Sequence, residues 1–133
     1  MQKRKINSSD FAKRLGAYSH GYAVDTGDTR IIFTTGQIAL DKDGAVLYPD
    51  DPAKQTEFIY ESQQKILRLE GASLDDVVKT TVFLTDMNDF SKISPVRNKY
   101  LQSSEPVSTL VEVRRLVKDG CRVEIEVIAV KKL

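Results

Sequence analysis

The sequence predicts an α+β fold in which two helices lie on one face of a mixed sheet. Three observations carry that prediction. A helical stripe spans 51–71 between an Asp-Pro start and a Gly stop. Short runs rich in β-branched residues flank it on both sides. The last of these runs carries apolar side chains on both of its faces. Together they give the order β-β-α-β-α-β-β within a single domain, 1–133, whose first fifteen residues read as an N-terminal extension.

The elements follow in turn. Ser8, Ser9 and Asp10 are placed to cap a short turn over Phe11 and Leu15. Residues 17–24 read as a strand weakened by Gly21. Asp25-Thr26-Gly27-Asp28 is a turn, and 30–35 is a second strand, making a hairpin. Gly36 follows at a strand end, where a missing side chain lets another group come close. Asp51 is the N-cap and Pro52 the first residue of a helix. Its stripe runs through Phe58, Ile59, Ser62, Ile66 and Leu69 to a stop at Gly71. Residues 78–84 form a β-branched strand. Pro95 is costly inside a helix, by about 3 kcal/mol, so Ser94 reads as N-cap of a second helix ending near Leu101. Residues 107–113 and 122–130 are the last strands, with Lys118-Asp119-Gly120 as a hairpin turn between them.

Two helices cannot cover both faces of this sheet. In the last strand Val123, Ile125 and Val127 alternate with Glu124, Glu126 and Ile128, so both faces need a partner. The uncovered apolar face predicts self-association.

Composition sets limits on function. The chain has 133 residues, enough for one core, with 41% hydrophobic and 29% charged residues. A net charge of +1 offers no field for nucleic acid or an anionic membrane. The basic start, Met1 to Lys5, reads as a solvated terminus. One cysteine, Cys121, allows no internal disulfide and reads as an inert thiol. With a single histidine, His20, no structural zinc site is expected. No apolar run approaches the roughly 18 residues of a membrane span, and no signal-peptide core opens the chain, so a cytoplasmic location is expected. No phosphate loop, nucleophile elbow or zinc-binding helix motif is present. Composition and spacing leave the function open, with polar groups at strand ends as the candidates: Tyr18, Ser19 and His20, then Thr34 to Gln37, Ser108 with Glu112, and Glu124 with Glu126.

Three stretches resemble the RidA (YjgF) family. They are GAYSH from Gly16 with FTTGQI from Phe33, then ASLDDVVKTTVFLTDMNDF from Ala72, then EVRRL from Glu112 with VEIEVIAV from Val123. The resemblance implies a chorismate-mutase-like sheet and a homotrimer built around a central barrel. It implies clefts between subunits for small ligands, often carboxylates or imines, and cofactor-free hydrolysis of enamines and imines to carbonyl compounds and ammonia. It places Glu124, Tyr18 and Thr35 as catalytic candidates, with Glu124 orienting water. Gly36, Ser94, Ser108 and Leu110 become ligand-binding positions.

The resemblance also shows three departures. The family's carboxylate-gripping arginine is Ser108, its neighbour in the cleft is Leu110, and the asparagine that opens the second helix is Ser94. A serine gives one neutral donor where an arginine gives a bidentate charged pair. The expectation is weak or absent turnover of small 2-imino acids and a different ligand range. Three readings stand side by side: a deaminase of another enamine or imine, a non-catalytic ligand-binding trimer, and the endoribonuclease activity attributed to some relatives. The near-neutral charge disfavours the last.

Overall fold

The computed structural model describes residues 1–133. In chain order its elements are β1 (Gln2–Ile6), β2 (Gly21–Thr26), β3 (Thr29–Thr34), α1 (Pro52–Arg68), β4 (Val77–Leu84), α2 (Phe90–Leu101), β5 (Val107–Glu112) and β6 (Val123–Lys132). Short 3-10 turns lie at Leu74–Asp76 and Met87–Asp89. All strands join one sheet in the order β1-β2-β3-β6-β4-β5. Only the β4–β5 pair is parallel. The two helices pack against each other on one face, so the fold is the expected α+β arrangement.

α1 starts and stops where its sequence dictates. The Asp51 carboxylate accepts the Lys54 N–H at 3.1 Å, and Pro52 follows at the first helical position. Gly71 takes φ +73°, and the Ala72 N–H donates to the Leu67 carbonyl at 3.0 Å, closing the helix end. The buried face is more polar than the apolar stripe suggested: Gln55 and Gln63 lie on it wholly buried, while Leu69 is exposed. Ile59 and Ile66 pack from α1, and Ile93 from α2, against Val123, Ile125 and Val127 of β6. In β4 the pairing with β6 slips between Val77 and Lys79. The extra residue, Val78, lets Val77 join Val82 and Leu84 on the core face.

Three expectations are corrected. First, Gln2–Ile6, read as part of a polar extension, is an edge strand paired with β2. Charged side chains are common on edge strands because they discourage further pairing, and that is why QKRKI does not look like β-structure. Arg4 fastens it, reaching Asp25 at 3.0 Å and Glu70 at 2.7 Å, while Arg30 meets Asp25 at 2.7 Å. Hydrogen bonds from Arg30 and Arg4 hold the Asp25 carboxyl well below the usual carboxylate range.

Second, the last two strands do not form a hairpin. A local turn does form at Lys118 to Cys121, with Gly120 at φ +91°. The chain nevertheless carries β6 past β5 to lie between β3 and β4. The apolar alternation of β6 is that of a central strand, buried by helices on one face and flanked by strands on both edges.

Third, α2 begins at Phe90, so Ser94 is inside the helix and Pro95 interrupts it. The Asp86 carboxylate caps the preceding 3-10 turn by accepting the Asn88 N–H at 2.9 Å, which starts the helical path early. Pro95 and Ser91 are both exposed, so water can serve the Ser91 carbonyl that lacks its amide partner.

The face opposite the helices is uncovered. Phe33, Val111 and Val130 are exposed on it, beside the half-buried Phe83 and Ile128. No helix is long and apolar enough to cross a membrane.

One ion pair, with a buried carboxylate, ties the turn before α2 to the residue that leads into β6. Asp89 is 1% exposed and takes a two-pronged contact from Arg122, at 2.9 and 3.1 Å. Replacing Asp89 with Ala removes the two-pronged partner and leaves the guanidinium only Asp50 and Asp86, at 3.7 and 3.6 Å, so D89A is expected to cost about 2 kcal/mol, read as a lower urea midpoint at unchanged slope.

Candidate active site

The β3–β6 ladder breaks near the end of β3. Its last regular pair is Phe33 with Ile128, and contact resumes only at a single bridge between Gln37 and Ile125. Thr34, Thr35 and Gly36 leave the ladder in between. Side chains replace the missing backbone bonds. The Thr34 hydroxyl accepts the Val127 N–H at 3.0 Å and donates to the Val127 carbonyl at 3.3 Å. The buried Gln63 amide donates to the carbonyls of Ile125 at 2.7 Å and Thr35 at 3.3 Å. The Thr35 N–H donates to the His20 carbonyl at 2.9 Å. The displaced segment is therefore held on both sides.

Glu124 occupies the space this creates. A Cβ on Gly36 would stand 2.5 Å from Glu124 Oε2 and 2.9 Å from its Cδ. Gly36 is glycine because the carboxylate lies against its Cα; its backbone φ is ordinary. Glu124 is half-buried on the open face of β6. Burial raises its pKa, and the neighbouring charge of Glu126 raises it further.

A cavity of about 390 Å³ opens over this carboxylate. Tyr18, Thr35, Gly36 and Glu124, four residues singled out by sequence, line it together. Phe11 and Phe58 add apolar wall. His20 also borders it, but it is buried and its Nδ1 accepts the Ser8 N–H at 3.1 Å. Burial lowers its pKa, with the Arg14 charge adding to the effect, so it is a neutral structural imidazole at pH 7. Cys121 is buried and its thiol pKa is pushed up by desolvation, which fits an inert thiol. No group of three or more His, Cys, Asp and Glu side chains converges anywhere, so no residue set is assigned to a metal.

The remaining sequence candidates lie elsewhere. Ser108 lines a second groove of about 420 Å³ between α2 and β5, with Arg97, Asn98 and Gln102. The Ser94 hydroxyl accepts from Arg97 Nη2 at 3.3 Å. Leu110 packs half-buried against the core. No residue borders both cavities. In the sheet β4 separates β6, which carries Glu124, from β5, which carries Ser108. Within one chain the candidates thus fall into two groups.

Sequence reasoning missed Gln63 and the bonding role of Thr34. Gln63 had a readable signal: with Gln55 it is a long polar side chain on the helix face that also carries Ile59 and Ile66. Such amides are buried only when backbone groups need partners. Gln55 serves the same purpose, donating to the carbonyls of Leu47, Tyr48 and Gly120.

The one-sided sheet and the glycine-seated carboxylate under a cavity define a small α+β domain of one class. The family model described as Endoribonuclease L-PSP matches residues 10–131, and the chain belongs to that family, the RidA/YjgF family. A RutC family protein of Pyrococcus abyssi is 40% identical over 132 residues, covering 99% of this chain and 100% of the relative. The 2-iminobutanoate/2-iminopropanoate deaminase of Rattus norvegicus is 35% identical over 129 residues, covering 97% of this chain and 90% of the relative. The crystal structure of E. coli TdcF with bound serine superposes with a TM-score of 0.80 at 33% identity, covering 97% of this chain and 99% of that one.

Two predictions follow from the carboxylate's seat. Gly36→Ala forces Glu124 out toward water, so the Glu124 carboxyl should titrate closer to the ordinary carboxylate range, measured by carbon-detected NMR. The second concerns stability. A carboxyl with a raised folded-state pKa binds its proton more tightly when folded, so its ionisation costs stability as pH rises through that window. Glu124→Gln should therefore be more stable than wild type at about pH 8, with the gain vanishing by about pH 4, in thermal melts.

Proposed function

We propose that this chain is a cofactor-free deaminase of imines or enamines, with Glu124 handling the proton of the attacking water. The observation that carries the reading is the carboxylate seated on Gly36, half-buried and with a raised pKa, in a cavity shared with Tyr18 and Thr35. The family relatives named as 2-iminobutanoate/2-iminopropanoate deaminases support it.

The chemistry needs little beyond these groups. Ionised Glu124 takes a proton from water as the oxygen bonds to the imine carbon. The C=N π electrons move to nitrogen, and Glu124 passes the water's proton to it, giving the neutral carbinolamine. The ionised carboxylate then takes the carbinolamine hydroxyl proton and delivers it to the amine nitrogen as the C–N bond breaks, so ammonia leaves as the carbonyl forms. A carboxylate whose pKa lies nearer neutrality serves better for both transfers than one far below it. The Tyr18 and Thr35 hydroxyls can hydrogen-bond water or substrate from the same cavity.

The two groups of candidates suit a cleft completed by a second copy. In this reading the uncovered sheet faces meet in a homotrimer. The Ser94, Ser108 and Leu110 edge of one subunit then faces the Glu124 cavity of the next. With Ser108 on β5, the expected range differs from that of relatives that carry an arginine at this position. That same Ser108 favours a second reading, a non-catalytic trimer that binds small ligands.

Ammonia release from imines generated in situ separates the two. Glu124→Gln is expected to lower kcat by about 100-fold or more with little change in KM. The wild-type rate should rise with pH through a pKa above the ordinary carboxylate range, because the ionised form is the base. Absence of ammonia release from every imine tried, with carbonyl products still binding, would leave the ligand-binding reading.

A further inference from the structure

The groove beside Ser108 is not without a cation. Arg97 projects into it from α2, together with Ser108, Thr80, Asn98 and Gln102. We propose that Arg97 is the anion anchor of this protein and selects ligands that bear a carboxylate. The inference builds on the cleft assigned above and names the class of ligand it takes.

The state of each arginine supports the choice. Arg4, Arg30 and Arg122 are committed to carboxylates within 4.0 Å. Arg14 gives Nη1 to the Tyr18 carbonyl at 2.7 Å. Arg68, Arg114 and Arg115 border neither of the two cavities. Arg97 alone is a guanidinium that lines one of them with no carboxylate in ion-pair contact.

Its own contacts hold it without neutralising it. Nη2 reaches Ser94 Oγ at 3.3 Å and Asn98 Oδ1 at 3.4 Å, and Nε reaches the same Asn98 oxygen at 3.4 Å. These are longer than the usual 2.9–3.0 Å or so of an N–H···O bond, so an incoming carboxylate at shorter range displaces them readily. The guanidinium also lies over the Phe90 ring, 5.5 Å from its centroid, which limits the freedom it loses on binding. The Ser108 and Thr80 hydroxyls and the two amides of Asn98 and Gln102 supply neutral donors around it.

One group opposes this. Glu105 borders the same groove, at a strained φ of +43°. It makes no ion pair with Arg97, so its charge lowers the groove's affinity for anions without filling the site. It is a second handle on the proposal.

The test uses two probes that differ in charge: 2-oxobutanoate, a carboxylate of the product class, and uncharged 2-butanone. Binding is read by NMR on the intact assembled protein. For wild type, 2-oxobutanoate is expected to give saturable shifts of the Arg97 Nε–H, Asn98 and Ser108 signals, and 2-butanone only weak ones. Arg97→Met should weaken 2-oxobutanoate by about tenfold or more and leave 2-butanone unchanged, with Arg97→Lys between. Glu105→Gln should tighten 2-oxobutanoate by about two- to threefold. Equal affinity in Arg97→Met overturns the proposal, as does no saturation in wild type. So do shifts confined to Lys13 and Lys118, the cations of the Glu124 cavity. The outcome is independent of turnover: anion binding that needs Arg97 without any imine hydrolysis sinks the deaminase reading alone. Hydrolysis in which Arg97→Met lowers kcat/KM equally for charged and neutral imines sinks this inference alone.

Discussion

Two helices, of 17 and 12 residues, lie on one face of a six-stranded sheet, and most of the other face stays uncovered. Much of the molecule answers to that shortage. The helix face takes the continuous aliphatic core, with β6 at its centre. The open face keeps Phe33, Val111 and Val130 in contact with water, at a cost that a second copy can relieve. Glu124 and Glu126 lie on that same face. A carboxylate placed there is half-desolvated within one chain, and any partner laid over the sheet desolvates it further. The shortage therefore shapes the acid as well as the assembly.

The site depends on how β3 leaves β6. A regular ladder would have put Thr35 and Gly36 in register and left no room beside Glu124. The break is tolerated because Thr34 and Gln63 take over the orphaned backbone groups. Neither side chain does chemistry in the proposed reaction, yet both fix where the chemistry can occur. The groove at β5 is built differently: its polar groups come from α2, the loop after it and the hydroxyls of Thr80 and Ser108, and its two charges, Arg97 and Glu105, do not pair.

What the sequence showed depended on how local the signal was. α1 was legible to the residue because its cap, its proline and its closing glycine all act within a few residues of chain. β3 and β4 were legible from their β-branched runs, while the strand read at 17–24 runs Gly21–Thr26 and takes in two residues read as turn. The position of β6 was not, because strand order is decided by long-range burial and a local Lys118-Asp119-Gly120 turn suggests a hairpin that the chain does not make. β1 was hidden by its charges, whose partners Asp25 and Glu70 are distant in sequence. Pro95 misled because its helix starts a turn earlier, from a cap at Asp86 that the proline rule overlooks. Of the site, Tyr18, Thr35, Gly36 and Glu124 were readable and converge. The gap between Glu124 and Ser108 was not, since it depends on sheet order.

The place of β6 has a further consequence, in time. It is the last strand made, yet β3 and β4 are joined only through it. Until residues 123–132 are available the nascent chain holds two separate pieces, β1-β2-β3 and β4-β5, each with a bare edge where β6 belongs. Loop closure for the final strand spans nearly a hundred residues on the β3 side, as in the Thr34–Val127 contact with its separation of 93. The completed sheet is thus a late, all-or-nothing event, and the exposed edges before it are the chain's period of greatest risk of pairing with another chain. Glu124 enters the fold in the same step, so a chain that has not closed its sheet has no acidic site.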